Sequence, residues 1–146
     1  MNSITSHFED KRPRQHLRRD RPLRIYLADL AYFNRLTRHV LHVPKNIGYI
    51  ASYAKKMFGN EVDIRLFKNP DVLLAAMASE APDVIGFSFY FWNTYLNRAV
   101  TAIARERYAR NVTIIWGGAS VDTDEAEQKR LFQRFPDVDA FVPNEG

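Results

Sequence analysis

Two segments carry side chains that could form a binding site in this chain of 146 residues. The segment SFYFWN, residues 88–93, places a hydroxyl, large aromatic rings and an amide directly after an apolar run. The pair Gly117-Gly118 follows a second apolar run, residues 112–116. Aromatic rings bury large flat areas, and glycine lets a ligand approach the backbone closely. The two segments suit a large flat ligand with a polar edge. The alternatives are aromatic packing over a crossover and a tight glycine turn without a ligand.

Groups that could perform catalysis are sparse. His39 and His42 could act together as metal ligands, but no Asp, Glu or Cys stands near them at ligand spacing. Ser88 has no evident His–Asp support for a hydrolase, and nothing points to a substrate for Glu145 as a general base. The chain has no cysteine, which excludes a disulfide scaffold, a thiolate nucleophile and a cysteine-held iron–sulfur cluster within it. We therefore predict no catalytic residue and no metal site.

The net charge of +4 is concentrated at the N-terminus. Residues 1–22 hold six basic and three acidic side chains and almost no apolar ones, so we predict a disordered basic tail. A role for it as an arm for nucleic acid or an acidic partner is the alternative to a solvated leader, and we consider nucleic acid unlikely as a partner. No apolar segment resembles a secretory signal or a membrane span. The expected location is cytoplasmic.

The rest of the chain alternates strand and helix patterns. Predicted strands cover residues 23–30, 61–67, 83–90, 112–116 and 140–142. Helices are predicted from Pro44 to about residue 58, from Pro70 to about Ala81, from Asn93 or Thr94 to about Arg110, and after a cap at Asp122 or Thr123. The first helix carries an apolar face made by Ile47, Ile50, Ala51, Ala54 and Phe58. The second strand alternates apolar and polar residues, which favours an edge position.

This pattern predicts an α/β fold with a flavodoxin-like (Rossmann-like), doubly wound, five-stranded parallel sheet in the order 2-1-3-4-5. Ligands of such folds bind outside the carboxyl ends of the strands. That edge comprises residues 29–47, 88–93, 117–122 and 143–146. The chain lacks the glycine motifs of dinucleotide and P-loop sites. It also lacks the acids and lysine of a receiver domain, and the hydroxyl-rich loop of an FMN site.

Four segments in order resemble the N-terminal cobalamin (B12)-binding domain of B12-dependent radical SAM proteins. They are PKNIGYIASY (44–53), DVIGFSFYFWN (83–93), IIWGG (114–118) and VDAFVPNEG (138–146). The resemblance covers about residues 23–146, and Asn144 stands where the family usually has glycine. It implies that residues 23–146 form a cobalamin-binding domain, with cobalamin as cofactor and partner.

The wider cobalamin superfamily often carries D-x-H-x-x-G, then S-x-L, then G-G, and its histidine is the lower cobalt ligand. If Gly48 is the glycine of the first motif, Val43 takes the Asp position and Lys45 the His position. Ser88-Phe89-Tyr90 stands for S-x-L, and Gly117-Gly118 for G-G. A protonated lysine has no free lone pair. The chain thus resembles the subgroup that supplies no protein histidine to cobalt.

The resemblance implies the following cofactor-binding residues: Lys45, Asn46, Gly48, Ser88, Phe89, Tyr90, Trp92, Asn93, Gly117, Gly118, Ala119, Asn144 and Glu145. Tyr90 or Trp92 would pack against the corrin ring. Ser88 and Asn93 would hydrogen-bond its amides or its nucleotide tail. The glycine pair would clear room for the tail.

An iron–sulfur cluster and S-adenosylmethionine would belong to a radical SAM domain or chain that this sequence does not contain. We therefore expect a detached or truncated module that binds cobalamin and catalyses nothing alone. The alternative is a non-binding α/β domain of the same fold that contacts a protein partner. A weaker alternative is a small α/β enzyme that works through Glu145 or the His39/His42 pair.

Overall fold

The predicted sheet is confirmed in the computed structural model, which describes residues 20–32 and 43–144. Five strands pair in parallel in the order β2-β1-β3-β4-β5. Their bounds are β1 Leu23–Ala28, β2 Val62–Phe67, β3 Val84–Ser88, β4 Thr113–Gly118 and β5 Ala140–Pro143. The alternating strand, β2, lies at an edge as predicted, because β1 is its only neighbouring strand within the described ranges.

Four helices connect the strands: α1 Lys45–Phe58, α2 Pro70–Ser79, α3 Thr94–Tyr108 and α4 Glu125–Arg134. Pro70 opens α2, and the Asn69 side chain caps it by accepting a hydrogen bond from the Asp71 N–H at 2.8 Å. The predicted cap of α4 was wrong. Asp124 caps this helix, since its carboxylate accepts hydrogen bonds from the N–H groups of Ala126 and Glu127. No helix in the described ranges is long and apolar enough to cross a bilayer.

The hydrophobic core lies on the face of the sheet that α2, α3 and α4 cover. Each strand sends alternate side chains to this face, where Tyr26, Phe87 and Trp116 are buried. Leu73 and Met77 of α2 and Val100 and Ala104 of α3 complete the core. Helix α1 lies on the opposite face. Among the described residues it is the only helix there, so the two faces of the sheet differ in how completely they are covered.

The described part of the chain begins at the end of the predicted basic tail. Arg21 forms a bidentate ion pair with Asp83, with nitrogen–oxygen distances of 2.7 and 3.0 Å. Asp83 also accepts a hydrogen bond from the Arg24 N–H at 2.8 Å. These contacts attach residue 21 to the start of β3. Residues 1–19, to which most of the disorder prediction refers, lie outside the described residues.

Candidate functional site

Strands β1 and β3 separate at the carboxyl edge of the sheet. Their pairing ends at Ala28 and Phe87. Beyond this point β1 follows β2, since the Asp29 N–H donates to the Phe67 carbonyl at 2.9 Å. The end of β3 stays with β4, since the Phe89 N–H donates to the Gly117 carbonyl at 2.6 Å. We call this separation the fork. It is the switch point of a doubly wound sheet, where ligands of such folds bind.

A cavity of about 680 Å³ lies beside the fork, between α1 and the face of the sheet opposite the core. Its floor is made by Leu27, Gly86, Ile115 and Val142, and its inner end is apolar. The polar side chains of Asn46, Ser88 and Asn144, which belong to the lining, lie at the carboxyl edge of the sheet. Further lining residues are Ile25, Ile47, Tyr49, Ile50, Tyr53, Ala54, Phe58, Val84, Phe87, Gly117 and Gly118. None of the described lining residues carries a charge, so the cavity suits a neutral group.

The Gly117-Gly118 pair adds no side chains to the wall of the cavity. A Cβ on Gly117 would lie 3.3 Å from the Cβ of Val142. Gly118 has φ +129°, a conformation that other residues rarely adopt, and a Cβ there would lie 3.2 Å from the Phe89 carbonyl oxygen. Any larger residue at either position would crowd the end of β4, and at Gly117 it would also project into the cavity.

Aromatic side chains form a rim outside the cavity. The rings of Tyr90 and Trp92 stack with their centroids 4.5 Å apart and their planes 7° from parallel. The Asn46 side-chain amide donates a hydrogen bond to the Tyr90 hydroxyl at 2.7 Å, which joins α1 to the segment after β3. Trp92 is 53% exposed and does not line the cavity. The cavity is therefore not filled by its own aromatic rim.

Comparison with known proteins shows to which family this domain belongs. Residues 33–142 match the B12 binding domain family. The chain belongs to this family. Its ligand is cobalamin. No curated protein sequence matches the chain.

The B12-binding domain also resembles a solved structure, that of a novel cobalamin-binding protein from Desulfitobacterium hafniense DCB-2, solved at 1.5 Å. The TM-score is 0.56 at 17% sequence identity, and the match covers 84% of this chain. At this identity the likeness supports the fold. The chain spans about half of that protein, 53% of its length. These findings do not favour the alternative of a non-binding interaction domain.

Several predicted cofactor residues of the B12-binding domain meet at the cavity: Asn46, Ser88, Gly117, Gly118 and Asn144. Tyr90 and Trp92 lie on the rim. Lys45 is exposed at the first turn of α1, Gly48 lies in the same helix, and Ala119 is exposed after β4. Glu145 lies outside the described residues, as do His39 and His42.

Two predicted residues point away from the cavity. The Phe89 side chain lies on the core face, with its ring centroid 5.0 Å from that of Trp116, because alternate residues of an extended segment face opposite sides. Asn93 is fully buried, and its amide donates to the Ser88 carbonyl at 2.9 Å. Both support the wall of the cavity from behind.

Sequence reasoning missed Asn97. It is fully buried on α3, and its amide also donates to the Ser88 carbonyl at 2.9 Å. A signal was present, because Asn97 follows Asn93 by four residues and precedes Val100 by three, which places it on the same face of the predicted third helix as an apolar residue. A polar residue on such a face calls for a hydrogen-bonding partner.

Charged groups stabilise the amino edge of the sheet, at the starts of β4 and β5. The Asp139 carboxylate accepts hydrogen bonds from the Ile114 N–H at 2.7 Å, from Arg105 and, at 2.9 Å, from Arg110. Partial burial acts to raise the pKa of Asp139, but these hydrogen bonds outweigh burial and hold the pKa below its ordinary value. The contacts hold the start of β5 against β4. Among residues 20–32 and 43–144, no group of three or more His, Cys, Asp or Glu side chains is arranged so that it could hold a metal ion.

Proposed function

We propose that this domain holds cobalamin with the corrin ring over the carboxyl edge of the sheet and the nucleotide tail in the cavity beside Gly117 and Gly118. The observation that carries the proposal is the cavity itself. It opens at the fork, has about 680 Å³ of volume, and combines an apolar interior with amides and a hydroxyl at its edge. A flat, largely apolar base attached to a ring with amide side chains matches this arrangement.

The residues present fit this group. Gly86 and Gly117 add no side chain to the floor of the cavity. The apolar side chains of Leu27, Ile115 and Val142 form the rest of the floor, on which a flat base can lie. The Asn46, Ser88 and Asn144 side chains would pair with amide or tail groups, which avoids burying them unsatisfied. Tyr90 and Trp92 would contact the edge of the ring. When bound, cobalamin supplies a cobalt centre that serves methyl transfer or radical chemistry.

We also propose that no protein histidine binds the lower face of cobalt. If Gly48 is the glycine of the superfamily motif, Lys45 takes the position of its histidine, and Lys45 is exposed at the start of α1. Its protonated amine offers no lone pair. The test is the electron paramagnetic resonance spectrum of bound cob(II)alamin, with and without isotope-labelled histidine in the protein. Splitting of the lines that changes with the label would contradict this proposal.

The larger context that we propose is a B12-dependent radical SAM protein. Its support is the order of the four resembling segments, and the absence of cysteine means that another domain or chain would hold the iron–sulfur cluster and S-adenosylmethionine. The DNA downstream of this reading frame tests the proposal. A C-x-x-x-C-x-x-C motif there supports it. The absence of both this motif and a co-purifying iron–sulfur protein would count against the proposal.

Titration of hydroxocobalamin into the purified chain, followed by its visible spectrum, tests cobalamin binding. We expect saturable binding that Ile115→Trp weakens at least tenfold, because the indole would fill the floor of the cavity. Val72→Trp is the matched control, since Val72 is exposed on α2 and does not line the cavity. Cobinamide, which lacks the nucleotide tail, should bind more weakly than cobalamin. No binding by the wild-type chain, or equal binding by the Ile115 variant, would overturn the proposal.

A further inference from the structure

The carbonyl oxygen of Ser88 lies where the sheet loses a strand. The N–H and C=O of Phe89 are directed toward the end of β4, where they bond to the Gly117 carbonyl at 2.6 Å and the Ser120 N–H at 3.3 Å. Consecutive residues of a strand direct their backbone groups to opposite sides. The Ser88 carbonyl is therefore directed toward β1, whose pairing with β3 has already ended at Ala28 and Phe87.

Two buried amides replace the missing strand. The side chains of Asn93 and Asn97 both donate to the Ser88 oxygen at 2.9 Å, and both residues have 0% exposure. These donors occupy both lone pairs of the carbonyl. The Asn93 side-chain oxygen accepts hydrogen bonds from the Tyr90 N–H at 3.0 Å and from the Asn97 amide at 3.3 Å. We call this arrangement the asparagine clamp.

The clamp contains more polar groups than stability alone requires. One donor would satisfy a buried carbonyl, and a second amide adds a desolvation cost of its own. The side-chain oxygen of Asn97 is buried without a hydrogen-bond partner among the described residues. A buried polar atom of this kind calls for an explanation beyond packing. Because Asn97 lies beside the fork, we explain its buried amide by a role in fixing the geometry of the fork.

We propose that Asn93 and Asn97 are positioning residues of the cobalamin site. They hold the fork open, so that the Ser88 side chain faces the cavity while its carbonyl is satisfied from the core side. Through the Tyr90 N–H they also set the turn that brings the Tyr90 hydroxyl to Asn46. The clamp thus connects α3, the end of β3 and the start of α1 around the mouth of the cavity. This inference rests on the proposed cobalamin function.

Asn97→Leu tests the clamp, because leucine has a similar size and removes both the donor and the unpaired oxygen. Thr101→Val is the matched control. Thr101 lies one turn further along α3, is buried, and loses a comparable hydrogen bond, the one that its hydroxyl accepts from the Trp116 indole at 3.2 Å. We expect Asn97→Leu to weaken cobalamin binding about tenfold and Thr101→Val to change it less than about twofold. The thermal stabilities of both variants are measured in parallel.

Equal affinity of the Asn97 variant and the wild-type chain would overturn the inference. So would equal loss in both variants, because affinity would then follow stability alone. Hydrogen exchange at the Tyr90 amide, measured without ligand, tests the clamp independently of whether the chain binds cobalamin. Exchange should accelerate in Asn97→Leu and not in Thr101→Val. A wild-type chain that binds no cobalamin refutes the function, whereas unchanged exchange at Tyr90 refutes the clamp.

Discussion

Replacement of Asp139 by asparagine tests how β5 is held in place. The carboxylate accepts the Ile114 N–H at 2.7 Å and pairs with Arg105 and Arg110. The Asp139 N–H donates in turn to the Ile114 carbonyl at 2.8 Å. These contacts precede β5, which carries Val142 and Asn144 to the cavity. Loss of the carboxylate should therefore loosen one wall of the site as well as the sheet.

The expected cost follows from which contacts survive. Asparagine keeps an oxygen for the Ile114 N–H but loses its charge toward the two guanidinium groups. Arg105 retains hydrogen bonds to the carbonyls of Asp137 and Val112, so it is not left unpaired. Hydrogen bonds to charged groups contribute about 1.5–3 kcal/mol and neutral ones about 1 kcal/mol. We expect Asp139→Asn to lower the free energy of unfolding by about 1–2 kcal/mol at neutral pH, measured by urea denaturation.

The pH dependence gives the sharper test. The pKa of Asp139 is lower in the folded chain than its ordinary value of 3.8, because hydrogen bonds from Ile114 and the two arginines outweigh the effect of burial. Its stabilising contribution is complete above that ordinary value and is lost as the pH falls through the folded-state pKa. The difference in stability between the wild type and Asp139→Asn should therefore be full at neutral pH and shrink below about pH 3.8.

An exposed ion pair supplies the control for this prediction. Glu125 and Lys129 lie 2.8 Å apart on α4, and both side chains are largely exposed. Glu125→Gln should change stability by less than about 0.5 kcal/mol at any pH. The reasoning about Asp139 is refuted if the stability difference between Asp139→Asn and the wild type is the same at neutral and at acid pH, or is no larger than that of the control.

Two further pairs of substitutions test local geometry. Gly118→Ala should destabilise the chain by about 1–3 kcal/mol in urea denaturation, since alanine would be strained at φ +129° and its Cβ would lie 3.2 Å from the Phe89 carbonyl oxygen. Gly48→Ala within α1, where an added Cβ meets no atom within 4 Å, should instead stabilise it by up to about 1 kcal/mol. Asp83→Ala should cost more than Arg21→Ala in thermal denaturation, because Asp83 accepts a backbone N–H as well as the arginine. Equal effects within either pair would contradict the geometry.

The sequence was sufficient to predict the architecture because its signals are local. Apolar runs and the breaks at Asn69-Pro70 and Gly117-Gly118 mark the elements. The rule for right-handed crossovers then leaves few strand orders, and the predicted order is the observed one. A second rule, that ligands bind outside the carboxyl ends of the strands, predicted the edge for the candidate site without knowledge of any side-chain contact.

The local shape of the site could not be predicted in the same way. Strands β1 and β3 end two residues before their predicted ends, because the fork separates them there. Ile50 and Phe58, predicted on the apolar face of α1, are 44% and 43% exposed. The periodicity identified the correct face of the helix, but it could not show that a cavity lies beneath that face. Such features depend on how elements diverge in space, which no short stretch of sequence records.

The sheet uses its two faces for different purposes, and this division explains why stability and binding should respond to different substitutions. On the core face, neighbouring strands present Phe87 and Trp116, both buried against α3 and its neighbours. On the other face, the next residues along the same strands are Ser88 and Gly117, which leave the cavity open. On each strand, a large buried residue of the core face is therefore followed by a small residue that lines the cavity. Substitutions at Phe87 or Trp116 should act mainly on unfolding. A larger side chain at Gly117 should lower ligand affinity as well as stability, because it would project into the cavity and crowd Val142.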